Sequence, residues 1–413
     1  MMRYTKEGNG ELMVNVVGSI SRLTAERHDD KTILANYGHV EATLETPEEI
    51  LRATETLQKE FKDVPGHAGM YLRGMVDAFQ MNARILSGEQ ISMKDAITVM
   101  QQVELNPIPQ AKFDRLAHEV TEGLGKRGYK GNIGEMVQTW LKDTALEPEE
   151  VTATAKRFMD RAKNATLKLV TDLPEGDGID DVYSIRNVFW SGLSRYLGDF
   201  RGDLTFNIDR PWSLPTFGNV LCHEGYPGHQ TFYCHWDHLY RQGRLPLEAA
   251  FYSTAGNPAN PMFEGSPECG LHFLGWDDFN EHTPEISDEE KADFLLGRHV
   301  QDLQRIVQMQ GYYKYHVEGA SKEEAIELMM NTGIFSKIEA ENCTKFFTHP
   351  VQQYYYPAYY YGRWMIYEAY QMIPREKRNE FFRFLYDMPH TNETFIKGIA
   401  DMTGKAFAPF ATC

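Results

Sequence analysis

The stretch Leu221-Cys-His-Glu-Gly-Tyr-Pro-Gly-His-Gln230 holds the residue types that metal-assisted hydrolysis needs. His223 and His229 can offer imidazole nitrogens to a metal ion, and Glu224 a carboxylate to take a proton from water. The pattern is the H-E-x-x-H zinc motif stretched by two residues. In the unstretched motif the histidines lie about 40° apart around one helix, so a single ion reaches both. At a spacing of six, an unbroken helix turns the second His by about 240° and displaces it by about 9 Å. Pro227 and Gly228 answer that objection: Pro lacks the amide hydrogen a helix interior uses, and Gly tolerates irregular dihedrals. The spacing therefore predicts a helix that deforms between Tyr226 and His229 and brings His229 back towards His223.

Catalytic zinc takes three protein ligands, and a Glu from a following helix is a common third. Glu264, 35 residues after His229 in Met262-Phe-Glu-Gly-Ser-Pro-Glu-Cys269, fits that role. The loop Gly256-Asn-Pro-Ala-Asn-Pro261 before it can turn the chain back, and Glu268 is the competing choice. One Zn2+ ion held by His223, His229 and Glu264 is expected. Two His and a carboxylate also describe the facial triad of non-haem iron enzymes, so Fe2+ acting on a small non-peptide metabolite is the alternative. His118-Glu119 has no second His within ten residues and reads as an ordinary helix surface, while His235 and His238 read as structural.

The elements that must position these residues are mostly helices. Thr46-Pro-Glu-Glu49, Ser287-Asp-Glu-Glu290 and Ser321-Lys-Glu-Glu324 each place Ser or Thr three residues before a Glu, the capping-box arrangement. Ile50, Leu51, Leu57 and Phe61 follow the first at helical spacing; Phe294, Leu295, Val300, Leu303, Ile306 and Val307 follow the second. Glu147-Pro-Glu-Glu150, followed by Val151, Ala155, Phe158, Met159 and Ala162, predicts another helix with an acidic first turn. Leu204-Thr-Phe-Asn-Ile-Asp209 alternates as a strand does, and Leu173-Pro-Glu-Gly-Asp-Gly178 reads as a loop. The expected fold class is mainly α with a small β-sheet (α+β). A helical N-terminal region over 1–165 and a metal-binding catalytic region over 166–413 are expected, or one continuous domain.

Composition narrows the function. Lys plus Arg total 42 against 59 Asp plus Glu, a net charge of -17, the wrong sign for a nucleic-acid partner. No apolar run approaches the roughly 18 residues of a membrane span. The start, Met1 to Met13, carries Arg3, Lys6, Glu7 and Glu11 where a signal peptide needs an apolar core. A cytoplasmic protein with no membrane partner is expected. Cys222, Cys234, Cys269, Cys343 and Cys413 form no C-x-x-C pair and are expected as reduced thiols.

His223-Glu-Gly-Tyr-Pro-Gly-His229 with Phe263-Glu-Gly265 resembles the H-E-x-x-P-G-H-H and E-G-W signatures of a large bacterial family of unknown-function proteins. That family is grouped by fold with the gluzincin, thermolysin-like zinc peptidases. The resemblance runs from Leu204 to Gly362 and implies a gluzincin-like metallopeptidase architecture. His316 with Glu323-Glu-Ala-Ile326 is similar to a D-T-G-L-H and E-x-A-I region, and Tyr359-Tyr-Tyr-Gly362 to a late Y-x-x-G. The family's second consecutive His is Gln230 here, its Trp after E-G is Ser266, a later Glu is replaced around Leu271, and Tyr312-Tyr-Lys-Tyr315 stands for most of D-T-G-L.

The expected activity is that of a zinc-dependent hydrolase of a peptide or amide bond, with Glu224 as general base. Tyr359, His316 and Arg363 are the candidates to donate to a developing oxyanion. The run Tyr354-Tyr-Tyr-Pro-Ala-Tyr-Tyr-Tyr361 reads as aromatic core and pocket wall.

Overall fold

Each of the three capping signals opens a helix in the computed structural model of the chain, which describes residues 4–28, 32–281 and 283–412. Thr46 accepts from the Glu49 amide, Ser287 from that of Glu290 and Ser321 from that of Glu324. At Ser287 and Ser321 the Glu side chain returns a bond to the capping residue's own amide. Glu147-Pro-Glu-Glu150 opens with a 3-10 turn that runs into an α-helix at Val151. Met1 to Arg3 and Cys413 lie outside the described residues, and the other four cysteines form no disulfide.

Along the chain come α1 (Asn9–His28), β1 (Leu34–Asn36), α2 (Pro47–Phe61), α3 (Gly66–Leu86), α4 (Met93–Gln101), α5 (Gln110–Lys126), α6 (Ile133–Asp143), β2 (Ala145–Leu146) and α7 (Val151–Leu169). The middle holds β3 (Gly178–Ile185), β4 (Gly192–Gly198), β5 (Arg201–Asn207), β6 (Trp212–Ser213), α8 (Leu214–Glu224), α9 (His229–Arg241), β7 (Phe251–Ser253), α10 (Asn260–Glu268) and α11 (Gly270–Phe273). The rest is helical: α12 (Asp288–His316), α13 (Lys322–Asn331), α14 (Lys337–Phe347), α15 (Pro357–Met372), α16 (Arg378–Tyr386) and α17 (Asn392–Thr403). The chain is thus mainly α with small sheets.

Two compact units divide it. One takes residues 1–105, 233–265 and 349–411. In it α1, α2 and α3 pack together, with Val14, Val17, Leu57, Leu72 and Phe79 fully buried, and β1 pairs antiparallel with β7. The other takes residues 106–232 and 266–348. Its sheet has the order β3-β5-β4, with β3 parallel and β4 antiparallel to the central β5. Its long helix α12 packs against α5 and α8, and Val300, Leu303, Ile306 and Val307 are buried along it. The chain passes from one unit to the other within α9 and within α10.

The strand expected at Leu204 to Asp209 is β5, which begins at Arg201 and ends at Asn207. Asp203 belongs to it because Arg195 of β4 pairs with its buried carboxylate. Asp209 has left the sheet, and its carboxylate accepts from Arg186 and from the Asn187 amide. The flanking strands β3 and β4 are not expected from sequence: their residues, GIDDVYSI and GLSRYLG, carry too little apolar alternation to signal a strand.

Candidate metal centre

The helix expected to deform between Tyr226 and His229 is interrupted outright. α8 ends at Glu224, Gly225 takes φ -102° and ψ -105°, the Tyr226–Pro227 peptide is cis, and α9 starts afresh at His229. His223 and His229 are therefore not bound by the rotation of a single helix, because two helices have independent axes. The His223 and His229 rings come to 4.6 Å between centroids at an interplanar angle of 88°. Gly228 permits the return. A Cβ there would lie 1.9 Å from the His223 carbonyl oxygen and 2.4 Å from that of Cys222, so no side chain fits.

A buried carboxylate ties this turn down. Asp177 accepts from the Tyr226 hydroxyl at 2.7 Å and from Gln230 Nε2 at 3.2 Å, and pairs with Lys163 at 2.8 Å. Gln230 also donates to the carbonyls of Gly178 and Phe200, which fastens the first turn of α9 to the start of the sheet. Gln230, where the resembled family has a second His, therefore serves the scaffold.

Glu264 stands on α10 and is buried. The donor atoms of His223, His229 and Glu264 lie within 4.8 Å of one another. Gly265 brings α10 against α15: a Cβ on Gly265 would fall 2.2 Å from the backbone of Gly362, and one on Gly362 would fall 1.9 Å from the Pro261 carbonyl oxygen. Phe263, the residue before Glu264, stacks on Tyr252 at 3.4 Å and 18°, with Tyr233 and Trp236 beside it. The Tyr355 hydroxyl donates to Glu264 Oε1 and is itself hydrogen-bonded to the Tyr252 hydroxyl. Burial first and the charge of Glu264 second hold both phenols well above the ordinary tyrosine range.

Two imidazoles and a buried carboxylate form a donor set that suits zinc and also iron(II). A divalent cation among them would offset the cost of burying Glu264. Glu268 takes a different place: it pairs with Arg305 at 2.7 Å, and its Oε1 lies 3.6 Å from His223 Nδ1. A carboxylate behind a ligand imidazole fixes the ring and raises its basicity. Glu224 is buried, and its Oε1 would lie 3.0 Å from a Cβ on Gly192, so the first residue of β4 passes alongside the carboxylate.

The remaining residues singled out from sequence are spread out. Tyr359 packs edge-on against Tyr355, 5.7 Å between centroids, and so joins the tyrosines around Glu264. His316 is engaged on α12 and α14: its Nε2 donates to the Phe347 carbonyl at 2.6 Å, and its ring packs on Tyr312, Tyr315 and Phe347. Burial pushes it down to about 4. It is not among the residues gathered with the ligand candidates. Arg363 is buried with its guanidinium over the Tyr367 ring. His235 pairs with Asp387 and His238 with Gln242, and His118-Glu119 sits on the surface of α5. Sequence reasoning misses Tyr355 and Asp177. Tyr355 is unmarked among its neighbours in the aromatic run, and Asp177 lies in a stretch that reads as a loop.

No family model and no curated protein matches the chain. Solved structures similar in fold include two proteins described as lipoproteins. A "putative lipoprotein" from Colwellia psychrerythraea shares 16% identity at a TM-score of 0.58, over 88% of this chain and 68% of that one. A "putative lipoprotein of unknown function" from Shewanella oneidensis shares 16% identity at a TM-score of 0.53, over 86% of this chain and 72% of that one. At such identity the likeness is one of fold. The cytoplasmic location expected from the sequence is overturned, since both of these proteins are described as lipoproteins. Among the described residues no helix is long and apolar enough to cross a membrane.

Proposed function

We propose that the chain is a zinc-dependent hydrolase of peptide or amide bonds with a gluzincin-like architecture, its single ion held by His223, His229 and Glu264. The observation that carries this reading is the buried gathering of those three donors with Glu224 next in sequence to the first. A zinc ion held there would supply Lewis acidity and make water a nucleophile near neutral pH. Glu224 is the group that would take a proton from water and deliver it to the leaving nitrogen. Tyr359 is the preferred donor to the developing oxyanion, because the Nε2–H of His316 is committed to the Phe347 carbonyl. The position of β4 favours a peptide over a small metabolite. It is an outer strand, with no strand partner on its far side among the described residues, and its first residue lies against Glu224. An extended peptide added along that edge would be held by main-chain hydrogen bonds with its backbone near the base.

The test is mass-spectrometric analysis of a mixed peptide library incubated with zinc-loaded protein. Cleavage is expected, and Glu224→Gln is expected to keep its zinc while cleaving about 10²–10⁴-fold more slowly. Iron uptake with oxygen-consuming turnover would contradict the hydrolase reading.

A further inference from the structure

Proton accounting around Glu264 gives the site a direction. A tyrosine hydroxyl has one hydrogen to donate and lone pairs to accept with. In the pair between Tyr355 and Glu264 the Tyr355 hydroxyl donates and the Glu264 carboxylate oxygen accepts. The one hydrogen of Tyr355 is then used, and in the hydroxyl pair Tyr252–Tyr355 the donor is Tyr252. The bonds therefore run from Tyr252 to Tyr355 to Glu264 Oε1.

Both ends of this chain are fixed by structure distant in sequence. Tyr252 lies in β7, paired with Ala35 of β1, and its ring is stacked on Phe263 immediately before Glu264. Tyr355 stands two residues before Pro357, the start of α15, the helix whose Gly362 meets Gly265 immediately after Glu264. All three hydroxyl or carboxyl groups belong to buried residues.

We propose that Tyr355, with Tyr252 behind it, is a positioning residue that holds Glu264 as a one-oxygen ligand: the phenol occupies Oε1 and leaves Oε2 to the metal. This inference rests on the metal-site reading above. It assigns Glu264 an outer support made of neutral donors rather than a charge. Support of that kind is commonly worth about tenfold to a hundredfold in metal affinity. With the donor gone, Oε1 would be able to bind the ion as well, which would raise its coordination number.

The test uses the full chain with zinc affinity from chelator competition and, on the cobalt(II)-substituted protein, the visible absorption that reports coordination number. Tyr355→Phe is expected to bind zinc about tenfold to a hundredfold more weakly and to show a weaker cobalt band, as carboxylate binding changes from one oxygen to two. Tyr252→Phe is expected to lose less affinity, with the same sign. Wild-type affinity and an unchanged cobalt spectrum in Tyr355→Phe would overturn the assignment while leaving the metal site intact. If Tyr355→Phe does not fold, Tyr252→Phe decides, and wild-type behaviour there overturns it. A wild-type chain that takes up neither ion overturns the metal-site reading and this inference with it.

Discussion

The two histidines and Glu264 are held by different means. His223 and His229 sit at the facing ends of α8 and α9, six residues apart, across a turn fastened by Asp177 through charge and hydrogen bonds. Glu264 sits on a helix fixed by backbone contact between Gly265 and Gly362, by stacked rings around Phe263 and by two tyrosines, one of them 91 residues away. The first arrangement is a local turn under a short-range constraint. The second exists only once distant segments have packed. The proposed ligand set thus joins a part whose geometry follows from spacing to a part that depends on tertiary contacts.

The sharpest test of that contrast, and the largest expected effect, compares the two acidic residues of α10. Structural zinc binds small peptides with about 10–16 kcal/mol, so one ligand carries about 3 kcal/mol or more, roughly a hundredfold or more in affinity. Glu264→Ala is expected to lose at least that. Glu268→Ala, which removes the carboxylate beside His223 together with its pair to Arg305, is expected to lose about tenfold to a hundredfold. Zinc titration of both variants checks the order, and the reverse order would make Glu268 the ligand.

Next in size are the two glycines. Gly228→Ala and Gly265→Ala each put a methyl group into a backbone wall, and each is expected to destabilise the fold by about 1–3 kcal/mol or more. Denaturant midpoints measure this. In Gly228→Ala zinc affinity should fall as well, because His229 is pushed away from His223. A Gly228→Ala chain with both properties unchanged would show that the turn is not packed as described.

The smallest expected effect is on acid stability. Burial, with the charge of His67 next, pushes His390 down to about 3, and burial pushes His316 down to about 4. His390 lies in the first unit and His316 in the second. Both rings are neutral in the folded chain and gain a proton on unfolding below about pH 6.5. The unfolded state thus binds more protons, and stability present above pH 6.5 is lost as the pH falls towards 4 and then 3. His390→Asn and His316→Asn should each flatten the fall in denaturation midpoint with pH, measured on chelator-treated protein so that metal release does not contribute. An equally steep fall in both variants would assign the acid sensitivity to other groups.

Much of this is legible in the amino-acid sequence. Capping pairs name three helix starts because a Ser or Thr followed by a Glu satisfies orphan amides wherever it stands. The His pair and Glu264 are legible because ligand chemistry restricts residue types so strongly. What escapes depends on partners far along the chain. Pro227 and Gly228 announce an irregularity, but whether the helix bends or ends depends on carbonyl oxygens at the end of α8 and on Asp177. The residues that β3 and β4 contribute are polar or mixed, and those strands are recognised only by their pairing with β5. Tyr355 carries no local mark that separates it from Tyr354 or Tyr356.

The most direct test of the central claim is elemental analysis of the protein purified without chelator, alongside a chain in which His223, His229 and Glu264 are all replaced by Ala. One zinc per wild-type chain, absent from the folded triple variant, is the predicted result. Equal metal in both chains, or none in a wild-type chain that also fails to take up added zinc, would contradict the account.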